Sequence, residues 1–161
     1  MKRKPKVVVI EDDTVFANLL ELSLSNNGYD VASISSVKEA NEFIPASKGV
    51  DLFIVDYNLG DEKGNGLDLC RKIKAYAHKP IVMLTGESST ETTVACLYAG
   101  ADQYVLKPYD LKELLARIHS ALYNQPKPSI DMSSRKLSVN DVVLDGMSRT
   151  LTCGTTSVRL T

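Results

Sequence analysis

The stretch Val7-Val8-Val9-Ile10-Glu11-Asp12-Asp13 places an unbroken run of branched apolar residues directly before three carboxylates. A short run without polar alternation is typical of a β-strand that is buried on both faces. The same pattern recurs in the runs Leu52–Val55, Ile81–Leu84 and Tyr104–Leu106. Each of these runs is followed at once by a residue with a charged or hydroxyl side chain, and these residues are Asp56, Thr85 and Lys107.

Helical patterns separate these runs between Lys6 and Tyr123, and a weaker run, Val31–Ile34, adds a fifth strand. Asp13 or Thr14 is suited to cap the first helix. Later helix starts are predicted from capping-box spacing, in the pairs Ser36 with Glu39, Ser88 with Glu91 and Asp110 with Glu113. Regular alternation of strand and helix predicts an α/β fold with a doubly wound, five-stranded parallel sheet.

In such a sheet the carboxyl ends of the strands share one edge, which gathers Glu11, Asp12, Asp56, Thr85 and Lys107. Crowded carboxylates repel one another unless one is protonated or a cation lies among them. Lys107 supplies one positive charge, and a divalent metal would supply the rest. Oxygen ligands without histidine or thiol favour Mg2+.

Composition excludes several classes of protein. The net charge of −1 gives no basic surface of the kind that nucleic-acid binding needs. Apolar runs are far shorter than the roughly 20 residues of a membrane span, so we expect no membrane association. The basic start, residues 1–6, is followed by too few apolar residues for a signal peptide. Three cysteines without CxxC spacing indicate reduced thiols, and we expect a cytoplasmic protein.

Two other functions, nucleotide binding and phosphatase activity, could also account for the acidic cluster. Nucleotide binding is disfavoured, because the sequence lacks G-x-x-x-x-G-K-[ST] and G-x-G-x-x-G and Glu11-Asp12-Asp13 would repel a phosphate. A phosphatase with an aspartyl nucleophile needs an acid two positions later, and Asn58 cannot protonate a leaving group. The remaining hypothesis is that Asp56 accepts a phosphoryl group and keeps it, with Mg2+ on Glu11 and Asp12 and with Thr85 and Lys107 on the phosphoryl oxygens.

These residues closely resemble the response-regulator receiver domains of two-component signalling. The match in order and spacing lies in Val8-Val9-Ile10-Glu11-Asp12-Asp13, Asp51-Leu52-Phe53-Ile54-Val55-Asp56-Tyr57-Asn58-Leu59, Leu84-Thr85-Gly86 and Ala99-Gly100-Ala101-Asp102-Gln103-Tyr104-Val105-Leu106-Lys107-Pro108-Tyr109. The resemblance implies a flavodoxin-like receiver domain over residues 1–123, strand order 2-1-3-4-5, that signals without being an enzyme. A sensor histidine kinase would be its phosphodonor.

The resemblance also implies residue roles. Asp56 would be the phosphorylation site. Glu11 and Asp12 would form the acidic pocket for Mg2+, to which Asp56 and the backbone carbonyl of Asn58 also contribute. Thr85, Tyr104 and Lys107 would form the switch set, with a cis peptide bond at Lys107-Pro108. Asn58 lies two positions after the acceptor, and Glu87 lies two positions after Thr85. The residues at these two positions resemble those of chemotaxis receivers, which implies a short-lived phosphorylated state.

The chain departs from the family pattern between the acceptor and the next helix. The family has proline four residues after the acceptor, where this chain has Gly60. If Gly66 matches the family's glycine, the segment Asp61–Asn65 contains a two-residue insertion. Because this loop borders the site, we expect partner docking to differ there.

Two prolines in Asn124–Ser129 predict a linker over residues 124–136. Residues 137–161 carry the strand-like runs Val142–Leu144, Leu151–Cys153 and Val158–Leu160, which are too small to fold alone. They resemble the start of an OmpR/PhoB-type winged-helix output domain without its recognition helix. DNA binding is therefore expected only of a full-length parent protein.

The family also dimerises through the last two helices and the strand between them, using charged residues. Asp102, Glu113 and Arg117 fit that pattern, but Thr93, Tyr98 and Gln103 stand where charges are usual. We therefore expect a weak homodimer. A protein-interaction module that works without phosphorylation is the alternative function, since it would need only the fold.

Overall fold

The computed structural model describes residues 3–60, 65–124, 129–131, 136–139, 142–145, 150–153 and 156–159. The chain divides into two compact units, Met1–Tyr123 and Asn124–Thr161.

The first unit is built on a parallel sheet in the order β2-β1-β3-β4-β5. Its strands are β1 (Lys6–Ile10), β2 (Asp30–Ile34), β3 (Leu52–Asp56), β4 (Ile81–Thr85) and β5 (Gln103–Leu106). The predicted fold class and strand order 2-1-3-4-5 are confirmed. β1, β3 and β4 are buried almost throughout, which explains their uninterrupted apolar runs, whereas β2 at the edge exposes Asp30, Ala32 and Ser33.

Helices cover both faces of this sheet. They are α1 (Thr14–Asn26), α2 (Val37–Phe43), α3 (Asn65–Tyr76), α4 (Thr90–Tyr98) and α5 (Leu111–Tyr123), and a short 3-10 helix, Ile44–Ala46, follows α2. Alternate strand residues point to opposite faces. One core therefore joins Phe53 and Val55 to α2, α3 and α4, and the other joins Leu52 and Ile54 to α1 and α5.

Side-chain caps fix where the helices begin. Asp13 caps α1 by accepting hydrogen bonds from the amides of Val15 and Phe16, both at 3.0 Å. Ser36 caps α2 as its spacing predicted, accepting from Glu39 N at 3.2 Å.

The predicted cap of α4 at Ser88 is wrong, because Ser89 is the N-cap. Its hydroxyl accepts from Thr92 N at 3.1 Å and also bonds to the Thr92 hydroxyl at 3.0 Å. That second contact favours Ser89 over its neighbour.

The second unit is an antiparallel sheet in the order β10-β9-β8-β7-β6. Its strands are β6 (Ser129–Asp131), β7 (Lys136–Val139), β8 (Val142–Asp145), β9 (Thr150–Cys153) and β10 (Thr156–Arg159). The runs predicted at Val142–Leu144 and Leu151–Cys153 are strands.

The linker predicted over residues 124–136 requires a correction, because β6 and the first residue of β7 lie within it. The two strands form a hairpin in which Ile130 pairs with Leu137. A strand of three residues is too short to produce a readable alternation. The prolines of this segment, and Leu160 of the last predicted run, lie outside the described residues.

Candidate functional site

Acidic and basic side chains meet at the carboxyl edge of the parallel sheet. Glu11 and Asp12 follow β1, Asp56 ends β3 and Lys107 follows β5. The Lys107 ammonium donates hydrogen bonds to Glu11 Oε2 at 2.8 Å and to Asp56 Oδ2 at 3.0 Å. The structure thus brings these four residues to one edge, as the strand ends predicted.

Burial strengthens the electrostatic interactions among these side chains. Glu11 is 2% exposed and Asp56 is 8% exposed. Burial raises the pKa of Glu11 to about 7, and the Asp56 charge adds to the rise although the Lys107 hydrogen bond opposes it. Burial lowers the pKa of Lys107, but its hydrogen bonds to Glu11 and Asp56 outweigh that effect and raise it. The ammonium therefore stays charged between its two partners.

The carboxylates fit a hard cation. One oxygen from each of Glu11, Asp12 and Asp56 lies within 4.8 Å of the others, and Asp12 is exposed, so the cluster is open to solvent on that side. Carboxylate oxygens at this spacing, accompanied by water, are what Mg2+ takes in proteins. Burial is the main cause of the raised pKa of Glu11, and a cation among the carboxylates would relieve the smaller contribution from repulsion by Asp56.

The backbone of Asp56 is held by the start of α3. Gly66 N donates to Tyr57 O at 3.0 Å. A Cβ on Gly66 would collide with the Asp56 carbonyl oxygen and lie 2.9 Å from Tyr57 Cα. Only glycine permits this approach, which agrees with its assignment as the family's glycine.

The family's proline would not fit the loop at Gly60. Gly60 has a φ of +65°, and its N–H donates to Asp12 Oδ2 at 2.8 Å. Proline has a φ near −65° and no N–H. Glycine in place of proline therefore allows the loop after β3 to form a hydrogen bond with Asp12 of the acidic cluster. The predicted insertion falls on Asp61–Asn65, of which 61–64 lie outside the described residues.

The remaining predicted residues have other contacts. Thr85 is 1% exposed, and its hydroxyl oxygen accepts the Glu87 N–H at 3.0 Å. Glu87 Oε2 in turn accepts from the Thr92 hydroxyl at 3.0 Å. Tyr104 packs, partly buried, against the core on the side of α3 and α4. Asn58 N donates to Asp56 Oδ1 at 3.3 Å, and the Lys107–Pro108 bond is cis, as the resemblance implied.

Sequence reasoning missed one contact of the cluster. The Lys107 ammonium lies 4.3 Å from the centroid of the Phe16 ring. That ring also makes an edge-on contact with Tyr109, with the ring centroids 6.0 Å apart. Phe16 lies in the first turn of α1, where an apolar residue is expected for core packing alone. Its aromatic ring was the only indication in the sequence that it could also contact a cation.

A profile of the response regulator receiver domain matches residues 7–119 of the chain. This protein belongs to the response regulator receiver family.

Curated relatives agree with this assignment. The response regulator ArlR of Staphylococcus epidermidis is 36% identical over 139 residues, covering 86% of this chain and 59% of the relative. ArlR of Staphylococcus aureus is 34% identical over 156 residues, covering 97% of this chain and 67% of the relative. The chain therefore spans about three fifths of the length of the Staphylococcus epidermidis protein.

A solved receiver domain has the same fold. The CheY-like response regulator receiver domain protein of Methanospirillum hungatei superposes with a TM-score of 0.68 at 28% identity, covering 76% of this chain and 96% of that structure.

Members of the receiver family share a general function. Receiver domains of response regulators switch by phosphorylation, receive the phosphoryl group from sensor histidine kinases and bind Mg2+ at an acidic pocket. They are typically signal transducers. Among the residues that the structure describes, no helix has the length and apolar character needed to cross a membrane.

Proposed function

We propose that this chain is the phosphoacceptor part of a transcriptional response regulator, in which Asp56 accepts a phosphoryl group from a sensor histidine kinase. The observation that carries the proposal is the buried Asp56 carboxylate, hydrogen-bonded to Lys107 at 3.0 Å and grouped with Glu11 and Asp12 within 4.8 Å. The lysine hydrogen bond orients this carboxylate, which an attacking nucleophile requires.

The transfer joins an Asp56 carboxylate oxygen to phosphorus while the bond from phosphorus to the donor breaks. Glu11, Asp12 and the Asn58 carbonyl would hold Mg2+, which shields the charge of the phosphoryl oxygens when bound. Lys107 exchanges its bond to Asp56 for a bond to a phosphoryl oxygen. The charge that arrives on Asp56 is therefore matched by groups already present at the edge of the sheet.

Thr85 and Tyr104 transmit the effect of phosphorylation from Asp56 to the protein surface. The Thr85 hydroxyl, which accepts the Glu87 N–H in this structure, turns towards the phosphoryl group. That movement releases the loop between β4 and α4, and Tyr104 on the neighbouring strand repacks beside it. An electrostatic change at Asp56 is thus converted into a change of surface at α4 and β5.

The second unit connects the switch to an output. We assign residues 137–161 to the N-terminal β segment of a winged-helix DNA-binding domain, a segment that also includes β6 and Lys136. The antiparallel order of β6 to β10 supports this assignment. Reading DNA bases requires an element that enters a groove. The described residues of the second unit form only short strands, so we expect no sequence-specific DNA binding by this described part of the chain. The protein acts in the cytoplasm as a signal transducer and not as an enzyme.

The homodimer through α4, β5 and α5 is weak in this proposal. Asp102 accepts a hydrogen bond from Lys74 at 2.6 Å, within its own chain. Arg117 donates to Gln103 at 3.0 Å and lies 3.8 Å from Glu113. Charges already paired internally add little to association between chains.

Treatment with acetyl phosphate and Mg2+, followed by intact mass measurement, tests this function. We expect one phosphoryl group on the wild type and none on Asp56→Asn. Asp68→Asn, an exposed carboxylate of α3, is the matched control and should label like the wild type. No labelling of the wild type would favour the phosphorylation-independent interaction module, and full labelling of Asp56→Asn would show that Asp56 is not the acceptor.

A further inference from the structure

The Lys107 ammonium has two kinds of partner, carboxylates and an aromatic ring. Its ammonium donates to the carboxylates of Glu11 and Asp56, and it also lies 4.3 Å from the centroid of the Phe16 ring. A distance of less than about 6 Å over a ring face is within the range of a cation–π interaction. Lys107 is 25% exposed, so water screens this interaction only in part.

The ring provides a restraint that hydrogen bonds alone cannot give. A lysine ammonium is a compact charge on a flexible stem with several rotatable bonds. The ring attracts the positive charge without offering a lone pair, so it does not compete with the carboxylates or with an incoming phosphoryl oxygen for the ammonium protons. Phe16 thus limits where the charge lies and leaves its donors available.

The ring itself is fixed by the fold. Phe16 N donates to the cap residue Asp13, which fixes the first turn of α1. The edge-on contact with Tyr109 also restrains the orientation of the ring. Phe16 also packs against the core that contains Leu20 and Leu114. The ring face therefore reaches Lys107 from a rigid element.

We propose that Phe16 is a positioning residue for phosphoryl transfer, whose ring face holds the Lys107 ammonium beside Asp56. The inference rests on the proposed role of Asp56 as phosphoacceptor. Removing the ring face while keeping an apolar side chain frees the ammonium to sample other positions. The phosphorylation rate then falls because Lys107 less often occupies the position in which it can meet the phosphoryl group.

Three variants separate the ring's electrostatic effect from its packing. Phe16→Leu keeps an apolar side chain and removes the ring, whereas Phe16→Tyr keeps the ring, and the groove of about 270 Å³ beside it gives space for the added oxygen. Leu19→Ala is the matched control, because Leu19 lines the same groove but is 60% exposed. Thermal unfolding of each variant reports any general loss of stability.

The first measurement is the NMR shift of the Lys107 Cε protons, which an aromatic ring face moves upfield. This shift needs no phosphorylation. We expect it in the wild type, Phe16→Tyr and Leu19→Ala and expect it to disappear in Phe16→Leu. An unchanged shift in Phe16→Leu would overturn the proposal.

The second measurement is the rate of labelling by acetyl phosphate at saturating Mg2+. We expect Phe16→Leu to be slower by about fivefold, and Phe16→Tyr and Leu19→Ala to stay within about twofold of the wild type. Equal slowing of Phe16→Leu and Phe16→Tyr would mean that the ring acts by packing alone, which contradicts the proposal. If the wild type itself takes no label, the proposed function fails, and the Lys107 shift still decides whether the ring holds the ammonium.

Discussion

Replacing Gly66 by alanine tests how the fold positions the acceptor. Gly66 is the second residue of α3 and is packed against the backbone at the end of β3. A Cβ at this position would collide with the Asp56 carbonyl oxygen and lie 2.9 Å from Tyr57 Cα. Both obstacles are backbone atoms, so neither can rotate away.

The expected cost follows from two opposing effects. Overpacking a well-packed site costs about 1–3 kcal/mol, and a clash with backbone belongs at the upper end of that range. Alanine in place of glycine favours a helix by about 1 kcal/mol. We therefore expect Gly66→Ala to lower the free energy of unfolding by about 2 kcal/mol. The urea concentration at the unfolding midpoint should then fall by about 1 M. The displaced Asp56 backbone should also slow labelling by acetyl phosphate.

Gly86→Ala is the matched control, because a Cβ there would meet no heavy atom within 4 Å. Urea unfolding followed by circular dichroism measures both variants, and the control should remain within about 0.5 kcal/mol of the wild type. A Gly66→Ala protein as stable as the wild type would refute the close contact between α3 and the acceptor strand. Equal destabilisation of both variants would refute the argument from local geometry.

Further predictions concern metal, lifetime and association. Because the pKa of Glu11 is raised to about 7, a proton competes with Mg2+ at low pH, and the affinity should fall by about tenfold in total between pH about 8 and pH about 6. Calorimetric Mg2+ titrations from pH about 6 to about 8 check this, and a flat profile would contradict it. Asn58→Met or Glu87→Leu should prolong the phosphorylated state by about tenfold, since each removes a polar group that can hold water near the acyl phosphate. Decay at fixed Mg2+ measures this lifetime, and equal rates would leave both side chains without a role. Sedimentation of the phosphorylated chain should show a weak dimer, because Asp102 is held by Lys74; a submicromolar dimer would count against this. Gel shifts should show no sequence-selective DNA binding by this chain, and a salt-resistant selective shift would disprove that.

The fold and much of the site could be predicted because the signals were local. Each apolar run marked a buried strand, and parallel pairing alone brought Glu11, Asp56 and Lys107 to one edge. The resemblance drew attention to Gly66 as a match to the family's glycine, but the close backbone approach that requires glycine there is visible only in the structure.

Other features depend on contacts between distant residues or on close competition between neighbours. Lys74 and Asp102 pair across 28 positions, so the sequence could not show that Asp102 is already engaged. Ser88 and Ser89 have almost equal capping patterns, and only the contact with Thr92 decides between them. The ring contact between Phe16 and Lys107 joins α1 to the end of β5, which no periodicity encodes.

The central claim is that Asp56 is the residue that becomes phosphorylated. Borohydride reduces an aspartyl phosphate to homoserine and leaves free carboxylates unchanged, so it marks the acceptor permanently. After treatment with acetyl phosphate and Mg2+, peptide mapping should find homoserine at position 56 and at no other aspartate, and omission of Mg2+ should abolish it. Homoserine at another aspartate, or none anywhere in the labelled protein, would contradict the account.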